Sequence, residues 1–494
     1  MVRSSTGPAR GRAPLALWVV LAVVSGFLTS CSSGGPVRTG SILWRGCGNI
    51  QCATLSVPLD WSHPSAGRIT LHLARHPARG HVDGVLFTNP GGPGGSGVQL
   101  VQDASDAFDG SVLDHFDIVS WDPRGVGESA PVNCDSHLDS FYEVDRNGTD
   151  DATADRNARA ARAFVAGCER VSGRLLAHVS TLDTVRDMDA IRAAMDLAKV
   201  DYLGFSYGTY IGARYADAYP THVRAMVLDG AIDPAESYDD ATVRQSQGFE
   251  RSLDAFFAWC RDNRHCAFAR GSDPSHAFTD LMTSIAQETD PAKVAGEHRS
   301  LDIGEANIGV ATALYAGNSA DGWGALGTAL NDAARGDGSA LLTLADSYTG
   351  RQPGGTYDNE TAAFYAIGCL DGSAPPTLAA SQQLAVRAAK VSPNFGASTV
   401  WLGLPCTYWP VPPVSQPAPI HAVGAPPIVV IGNTDDPATP YEQAQALAGQ
   451  LQSGRLLTFV GEGHTAYDRS DCIDRLVDRY FETLAVPAAG TRCS

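Results

Sequence analysis

Residues 204–208 read Gly-Phe-Ser-Tyr-Gly, and this short stretch decides the predicted fold. It follows an apolar run at residues 202–205 and precedes a helical pattern at residues 207–219, so it predicts a strand, a sharp turn and a helix. Such a turn exposes the hydroxyl of Ser206 above the edge of a sheet, and its glycines leave room where a Cβ would collide. We therefore predict that Ser206 is a nucleophile, with a buried structural serine as the alternative.

The same rhythm of strand and helix extends along the chain. Amphipathic helices are predicted at residues 183–199 and 473–484. Short apolar, β-rich runs predict further strands at residues 85–88, 116–121, 225–228, 428–431 and 456–460. This alternation is typical of an α/β fold with a mostly parallel sheet.

This alternation of strands and helices is interrupted at residues 235–420. Alanine-rich amphipathic stretches at residues 249–260 and 308–334 predict helices there, without a clear strand pattern. We interpret the region as a helical cap that is inserted into an α/β core formed by residues 44–234 and 421–494.

A serine attacks a carbonyl group only when a base takes its proton and the resulting oxyanion is stabilised. The loop at residues 89–97, Asn-Pro-Gly-Gly-Pro-Gly-Gly-Ser-Gly, follows a predicted strand and can turn backbone N–H groups outward. We predict that the N–H groups of Gly92 and Tyr207 form the oxyanion hole. A phosphate-binding loop is disfavoured because Gly-x4-Gly-Lys-[Ser/Thr] is absent.

The predicted base is His464, which lies after the last predicted strand and before a predicted helix. The predicted acid is Asp436, which follows the penultimate strand and can orient the imidazole and stabilise its protonated form. Asp435 is the alternative acid. The next helix is expected to begin with a capping box formed by Thr439, Pro440 and Glu442.

The order serine, aspartate, histidine is that of the α/β-hydrolases. Further motifs accompany it, and they lie at residues 89–97, 121–129 (Trp-Asp-Pro-Arg-Gly-Val-Gly-Glu-Ser), 204–209, 366–371 (Ala-Ile-Gly-Cys-Leu-Asp), 436–440 and 463–465. With these motifs the chain from about Trp44 to Cys493 resembles the secreted tripeptidyl aminopeptidase branch of the prolyl-aminopeptidase-like serine peptidases.

The resemblance implies an α/β-hydrolase fold with a helical cap and the release of short peptides, tripeptides above all, from a free N-terminus. It also implies that some members act as carboxylesterases. The Gly-Gly-Pro stretch of the family often begins with histidine where this chain has Asn89, so the hydrogen bonding of the oxyanion loop is expected to differ.

An exopeptidase needs an anionic partner for the ammonium group of its peptide substrate. We expect Asp358, Glu360 or Asp371 in the cap to supply it, with a solvated acidic face or helix capping as the alternative. No metal or organic cofactor is implied. Two other functions stay open: a carboxylesterase that acts on envelope lipids or small esters with the same triad, and a lipid-anchored binding protein that kept the scaffold without catalysis.

The first 30 residues combine arginines with an apolar run of about 14 residues, which is typical of a signal peptide and too short to span a bilayer. The tetrad Leu-Thr-Ser-Cys at residues 28–31 resembles a bacterial lipobox. A lipid on Cys31 would anchor the exported chain to the outer face of the cell membrane through a flexible tether, residues 31–43. An ordinary cleaved signal is the alternative.

Apart from Cys31 the chain has ten cysteines, an even number that favours disulfides in an exported protein. The sequence alone leaves their connectivity open. Proximity favours the pairs Cys47–Cys52 and Cys260–Cys266, and we expect Cys134–Cys168, Cys369–Cys406 and Cys472–Cys493 as the remaining pairs.

The composition also excludes some classes of protein. Of 494 residues, 44% are hydrophobic and 18% are charged, which is typical of a folded globular chain. The formal net charge of −18 would repel a phosphate backbone, which disfavours nucleic acid as a partner.

Overall fold

The computed structural model describes residues 37–134, 138–287 and 299–494, and eleven of its strands form one sheet. The predicted signal peptide and Cys31 lie outside the described residues. The strands in chain order are β1 Val37–Thr39, β2 Ile42–Cys47, β3 Ile50–Pro58, β4 Arg68–His76, β5 Gly84–Asn89, β6 Phe116–Trp121, β7 Val200–Phe205, β8 Val223–Asp229, β9 Arg351–Gln352, β10 Thr356–Tyr357, β11 Ile428–Asp435, β12 Gly454–Glu462 and β13 Arg492–Cys493.

The order of strands in the sheet is β1-β2-β3-β4-β6-β5-β7-β8-β11-β12-β13, while β9 and β10 pair separately. In this order the seven strands from β6 to β13 are parallel to one another. The antiparallel pairs are β1 with β2, β2 with β3, β3 with β4, and β4 with β6. The predicted α/β architecture with a mostly parallel sheet is confirmed. Seven strands were not predicted from the sequence, namely β1, β2, β3, β4, β9, β10 and β13.

Helices connect these strands and also form the region between β8 and β11. They are α1 Gly97–Gln102, α2 Ala104–Ala107, α3 Gly110–His115, α4 Leu138–Tyr142, α5 Asp151–Ser172, α6 Thr181–Ala194, α7 Tyr207–Ala218, α8 Tyr238–Asp262, α9 Pro274–Gln287, α10 Ile303–Tyr315, α11 Ala325–Ala333, α12 Ser339–Thr349, α13 Glu360–Asp371, α14 Leu378–Ala389, α15 Gly396–Leu402, α16 Tyr441–Gln450 and α17 Asp471–Thr483.

The parallel strands are buried because helices cover both faces of the sheet. On one face, Met188 of α6 and Ile211 of α7 pack in a cluster with strand residues such as Tyr202. On the other face, Val101 of α1 and Phe481 of α17 pack in a second cluster. Because β7, β8, β11 and β12 are parallel, their carboxyl ends lie at one edge of the sheet. Open α/β sheets place their functional groups at this edge.

Helices α8 to α15 form the inserted helical region, and the predicted helical stretch at residues 308–334 overlaps α10 and contains α11. Helices α4 and α5, which the sequence analysis did not predict, pack against this region: Phe164 lies 5.1 Å from Tyr365 between ring centroids. The boundaries of the cap at residues 235 and 420 stay a prediction.

All five predicted disulfide pairs are confirmed. Two of them, Cys134–Cys168 and Cys369–Cys406, lie in the cluster that joins α4 and α5 to α13. Among the described residues, every helix is too short or too polar to cross a membrane.

Candidate active site

Ser206 stands at the turn between β7 and α7, in the strand, turn and helix that the sequence predicts. Its φ of 54° lies in the left-handed region, which is strained for a residue with a side chain. The N–H of Ser206 donates to the main-chain oxygen of Asp229 at 2.8 Å. The N–H and hydroxyl of Thr209 donate to the main-chain oxygen of Ser206 at 2.9 and 2.6 Å, so both sides of the turn are fixed.

The glycine-rich loop after β5 packs directly on this turn. Gly91 has a φ of +93°, and a Cβ there would lie 2.8 Å from the amide nitrogen of Tyr207 and 3.0 Å from the Cβ of Ser206. Only glycine permits this approach. Asn89 stabilises the loop, because its Oδ1 accepts the N–H of Gly91 at 3.0 Å. Gly92 lines a cavity together with Ser206, so the loop brings the expected oxyanion donor beside the nucleophile turn.

His464 and Asp436 form a buried hydrogen-bonded pair. The Nδ1 of His464 lies 2.9 Å from Oδ2 and 3.0 Å from Oδ1 of Asp436. The N–H groups of Ala438 and Thr439 each donate to Oδ1 of Asp436 at 2.9 Å, which holds the carboxylate in place. Asp435, the alternative acid, is exposed, and its carboxylate accepts only the neighbouring hydroxyl of residue 434 among the described residues.

This pairing leaves the other imidazole nitrogen available for chemistry. With a proton on Nδ1 facing the carboxylate, Nε2 carries the lone pair of the neutral ring. The Nε2 of His464 is buried and has no hydrogen-bond partner among the described residues. His464 and Ser206 line the same cavity, so the structure brings all three predicted triad residues to one edge of the sheet.

The capping box expected at residues 439–442 is wrong. Helix α16 begins at Tyr441, its N-cap is Pro440, and no side chain caps it. Thr439 instead donates its hydroxyl to Oδ2 of Asp436 at 3.1 Å and lies 3.3 Å from Nδ1 of His464. The hydroxyl therefore contacts the pair of side chains rather than the helix end.

Two residues that the sequence analysis missed position the loop of His464. The buried carboxylate of Asp229 accepts the N–H groups of Ala466 and Tyr467 at 2.9 to 3.1 Å. Burial raises the pKa of Asp229 to about 6. The main-chain oxygen of Tyr315 in the helical region accepts the N–H of His464 at 2.8 Å. Position at the carboxyl end of a predicted strand was the one signal in the sequence that could have identified Asp229.

Two cavities meet at Ser206. The larger, of about 860 Å³, is lined by His464 and carries the carboxylates of Asp321, Glu462 and Asp468 on its wall. This cavity is open to solvent and mixed in polarity.

The smaller cavity, of about 180 Å³, is lined by Ser206 and Gly92 but not by His464. Most of its wall is apolar, with side chains such as Phe249 and Phe395, and none of the described lining residues is a carboxylate. The two cavities share Ser206, Tyr315 and Tyr348 as lining residues.

The three carboxylates expected to bind an ammonium group have different surroundings, and none of them lines either cavity. Asp371 accepts the hydroxyl of Tyr207 at 2.6 Å and the N–H of Thr181 at 3.1 Å. Asp358 is exposed and accepts the N–H of Glu360 at 3.0 Å, at the start of α13. The carboxylate of Glu360 forms no hydrogen bond or ion pair within the described part of the chain, and burial raises its pKa to about 7.

The chain is similar in sequence to known hydrolases. A family model described as "alpha/beta hydrolase fold" matches residues 84–290, and one described as "TAP-like protein" matches residues 392–493. The chain is 35% identical to serine protease Hip1 of Mycobacterium tuberculosis, with 97% of each chain covered. It is 36% identical to carboxylesterase B of the same organism, with 93% of this chain and 91% of that protein covered. It is 29% identical to tripeptidyl aminopeptidase of Streptomyces lividans, with 90% and 84% covered.

Proposed function

Because this chain belongs to the TAP-like branch of the α/β-hydrolase family and is a serine hydrolase, we propose that it is a peptidase that releases short peptides, tripeptides above all, from free N-termini. The observation that carries the proposal is the buried pair of Asp436 and His464, whose Nε2 is unpartnered beside the cavity that Ser206 lines. The relatives named serine protease and tripeptidyl aminopeptidase support the choice of peptide substrates.

The proposed reaction is acyl transfer through a covalent intermediate. His464 Nε2 takes the hydroxyl proton of Ser206 while Oγ attacks the substrate carbonyl, and the N–H groups of Gly92 and Tyr207 bind the oxyanion. Asp436 orients the imidazole and stabilises it when it is protonated. The proton then passes from Nε2 to the leaving nitrogen as the C–N bond breaks. Water, deprotonated by His464, attacks the acyl-enzyme and frees Ser206.

The two cavities receive different parts of the substrate in this scheme. The leaving group takes its proton from His464, so it lies in the larger cavity that His464 lines. The acyl side chain nearest the scissile bond then enters the smaller cavity beside Gly92.

Glu360 is the best placed of the three candidate anions for the substrate ammonium. A Cβ on Gly94 would lie 2.7 Å from the main-chain oxygen of Glu360, so the start of α13 packs on the oxyanion loop. A free carboxylate near that loop lies on the acyl side of the reaction, where the N-terminus of an aminopeptidase substrate must be. Glu360→Gln is expected to raise KM for peptides with a free N-terminus far more than for simple esters.

We also propose that the protein is exported and anchored in the cell membrane through a lipid on Cys31. The five disulfides support an oxidising compartment, because disulfides persist outside the cytosol and are rare inside it. Metabolic labelling with an alkyne fatty acid tests the anchor: wild-type protein is expected to carry the label and Cys31→Ser to lack it.

The activity is tested with purified residues 32–494 on three substrates: an N-terminally free tripeptide p-nitroanilide, its acetyl-blocked twin and a short-chain p-nitrophenyl ester. Cleavage of the free peptide with rejection of the blocked one is the expected result. Ser206→Ala is expected to abolish turnover and labelling by a fluorophosphonate probe, because triad residues act as a unit. Near-normal turnover by Ser206→Ala would overturn the mechanism. Absence of both labelling and turnover in folded wild-type protein would revive the binding-protein hypothesis.

The second candidate function is a carboxylesterase. The observation that favours it is the smaller cavity, since an apolar space of about 180 Å³ without carboxylates suits a compact acyl group better than a charged peptide terminus. Turnover of the ester without turnover of either peptide would establish this function and leave the proposed triad unchanged.

A further inference from the structure

The smaller cavity carries a cation that the proposed reaction does not use. Arg146, in the loop between α4 and α5, is one of its lining residues and the only lysine or arginine among those that are described. Its side chain is buried, with 3% of its surface exposed. No carboxylate forms an ion pair with it within the described part of the chain. A buried, unpaired charge is costly, so its position against a substrate cavity calls for an explanation.

The hydrogen bonds of Arg146 leave part of its guanidinium unsatisfied. Nη1 donates to the main-chain oxygens of Tyr142 at 3.2 Å and Val144 at 3.1 Å, and Nη2 donates to that of Phe141. The Nε–H is buried without a partner. A guanidinium has five N–H groups, so Nε–H and one N–H on Nη2 remain, which is the number a carboxylate takes in a bidentate pair.

The surroundings hold this guanidinium in place. Its carbon lies 4.8 Å from the ring centroid of Phe141, and the three carbonyl oxygens come from the end of α4 and the residues just after it. Burial lowers the pKa of Arg146 to about 10, so the group stays cationic at neutral pH. The cation is therefore fixed and charged before any substrate binds.

The size of the cavity limits what can reach Arg146. A dry engineered cavity of about 150 Å³ binds benzene, so about 180 Å³ accommodates one amino-acid side chain or a short acyl chain and not a whole tripeptide. Ser206 and Arg146 are both on the wall of this space, so one such group can extend from the attacked carbonyl toward the guanidinium.

From these observations we propose that the smaller cavity selects acyl groups that end in a carboxylate, with Arg146 as the residue that determines this specificity. In a peptide the selected residue is glutamate at the position whose carbonyl is attacked; in an ester it is a dicarboxylic acyl chain. The proposal rests on the proposed function, since it needs Ser206 to attack that carbonyl, and it is independent of whether the leaving group is an amine or an alcohol.

The test compares substrates that differ only in charge. Ala-Ala-Glu and Ala-Ala-Gln p-nitroanilides form the peptide pair, and the p-nitrophenyl monoesters of adipic acid and adipamic acid form the ester pair. We expect kcat/KM of wild-type protein to favour the acidic member of at least one pair by about 10-fold or more. Arg146→Gln is expected to bring that ratio to one or below. Arg146→Lys keeps the positive charge but loses the paired N–H groups of the guanidinium, so it is expected to give an intermediate ratio.

Arg162→Gln is the matched control, because Arg162 is exposed and stacks on Tyr408 at 4.5 Å, outside the residues that line the cavity. Its ratio is expected to equal that of wild type. The proposal is overturned if wild-type protein gives a ratio of acidic to neutral kcat/KM of one or less for both pairs, and this result does not depend on whether Arg146→Gln folds. It is also overturned if folded Arg146→Gln keeps the wild-type ratio. Failure of the proposed function is a different result, namely no turnover of either member of either pair.

Discussion

The hydroxyl of Tyr207 donates a 2.6 Å hydrogen bond to Asp371, which joins the residue after the proposed nucleophile to the end of α13. Asp371 also accepts the N–H of Thr181 at the start of α6, so one carboxylate ties together three segments that are far apart in sequence. Burial raises the pKa of Asp371 to about 6. The motif at residues 366–371 therefore ends in a residue that is hydrogen-bonded to the residue after Ser206.

This contact predicts that Asp371 acts on kcat rather than on substrate binding. Asp371→Ala leaves the Tyr207 hydroxyl and the Thr181 N–H without their acceptor, a loss of about 1–3 kcal/mol per buried group. We expect kcat to fall about 10-fold with KM nearly unchanged, for peptide and ester alike.

Tyr207→Phe tests the same bond from its other end, and the double variant should lose little more than either single one. A rise in KM confined to peptides with a free N-terminus would contradict this assignment. It would show instead that Asp371 binds the ammonium group.

Thr439 gives a second prediction, because its hydroxyl contacts both Asp436 and His464. Thr439→Ala removes a donor to the carboxylate and is expected to lower kcat about 10-fold, which corresponds to roughly 1.4 kcal/mol. Thr439→Ser keeps the hydroxyl and is the control, with kcat expected within about threefold of wild type. Steady-state kinetics on the p-nitrophenyl ester measure both; equal losses in the two variants would assign the effect to the methyl group and to packing.

Much of the candidate site could be predicted because its signals are local. Ser206 and His464 each lie in a short glycine-containing motif that directly follows a strand, and parallel strands bring such ends to one edge. Asp436 was predicted for the same reason, directly after β11. Proximity in sequence favoured the Cys47–Cys52 and Cys260–Cys266 pairs, whereas only the fold determines the partners of the other six cysteines.

The supporting contacts could not be predicted, because they join residues that are distant in sequence. Asp229 accepts the N–H of Ala466, 237 positions away, and only the fold brings them together. Tyr207 and Asp371 are separated by 164 positions. The predicted capping role of Thr439 was wrong because a helix start favours threonine as a cap, whereas tertiary contacts with His464 and Asp436 determine its orientation here.

The pKa of Asp229 predicts a specific dependence of stability on pH. Burial raises this pKa to about 6 from about 3.9 in the unfolded chain, so the folded protein binds the proton more tightly. The contribution of Asp229 to stability is then largest below about pH 4 and is lost as the pH rises through 6. We expect the difference in free energy of unfolding between wild type and Asp229→Asn to fall by about 2 kcal/mol from pH 4 to pH 7.

Urea unfolding of both proteins at pH 4, 5, 6 and 7 measures this difference, and the comparison cancels the other titrating groups. His464 and Asp436 act on the pKa of Asp229 in opposite directions, so a His464→Ala background separates their effect. A difference that does not change with pH would contradict the raised pKa.

The disulfide Cys369–Cys406 yields the last prediction, since it holds α13 two residues before Asp371. Replacing both cysteines by alanine opens a loop of 37 residues and is expected to cost about 4 kcal/mol of unfolding free energy. Because the end of α13 is then less constrained, the hydrogen bond between Asp371 and Tyr207 weakens and kcat falls as well. The control is the Cys47–Cys52 pair, which joins β2 to β3 away from the site and is expected to cost about 2 kcal/mol without changing kcat. Thermal unfolding and ester turnover are measured for both variants. If their kcat values are equal, the Cys369–Cys406 disulfide does not affect turnover through the contact between Asp371 and Tyr207.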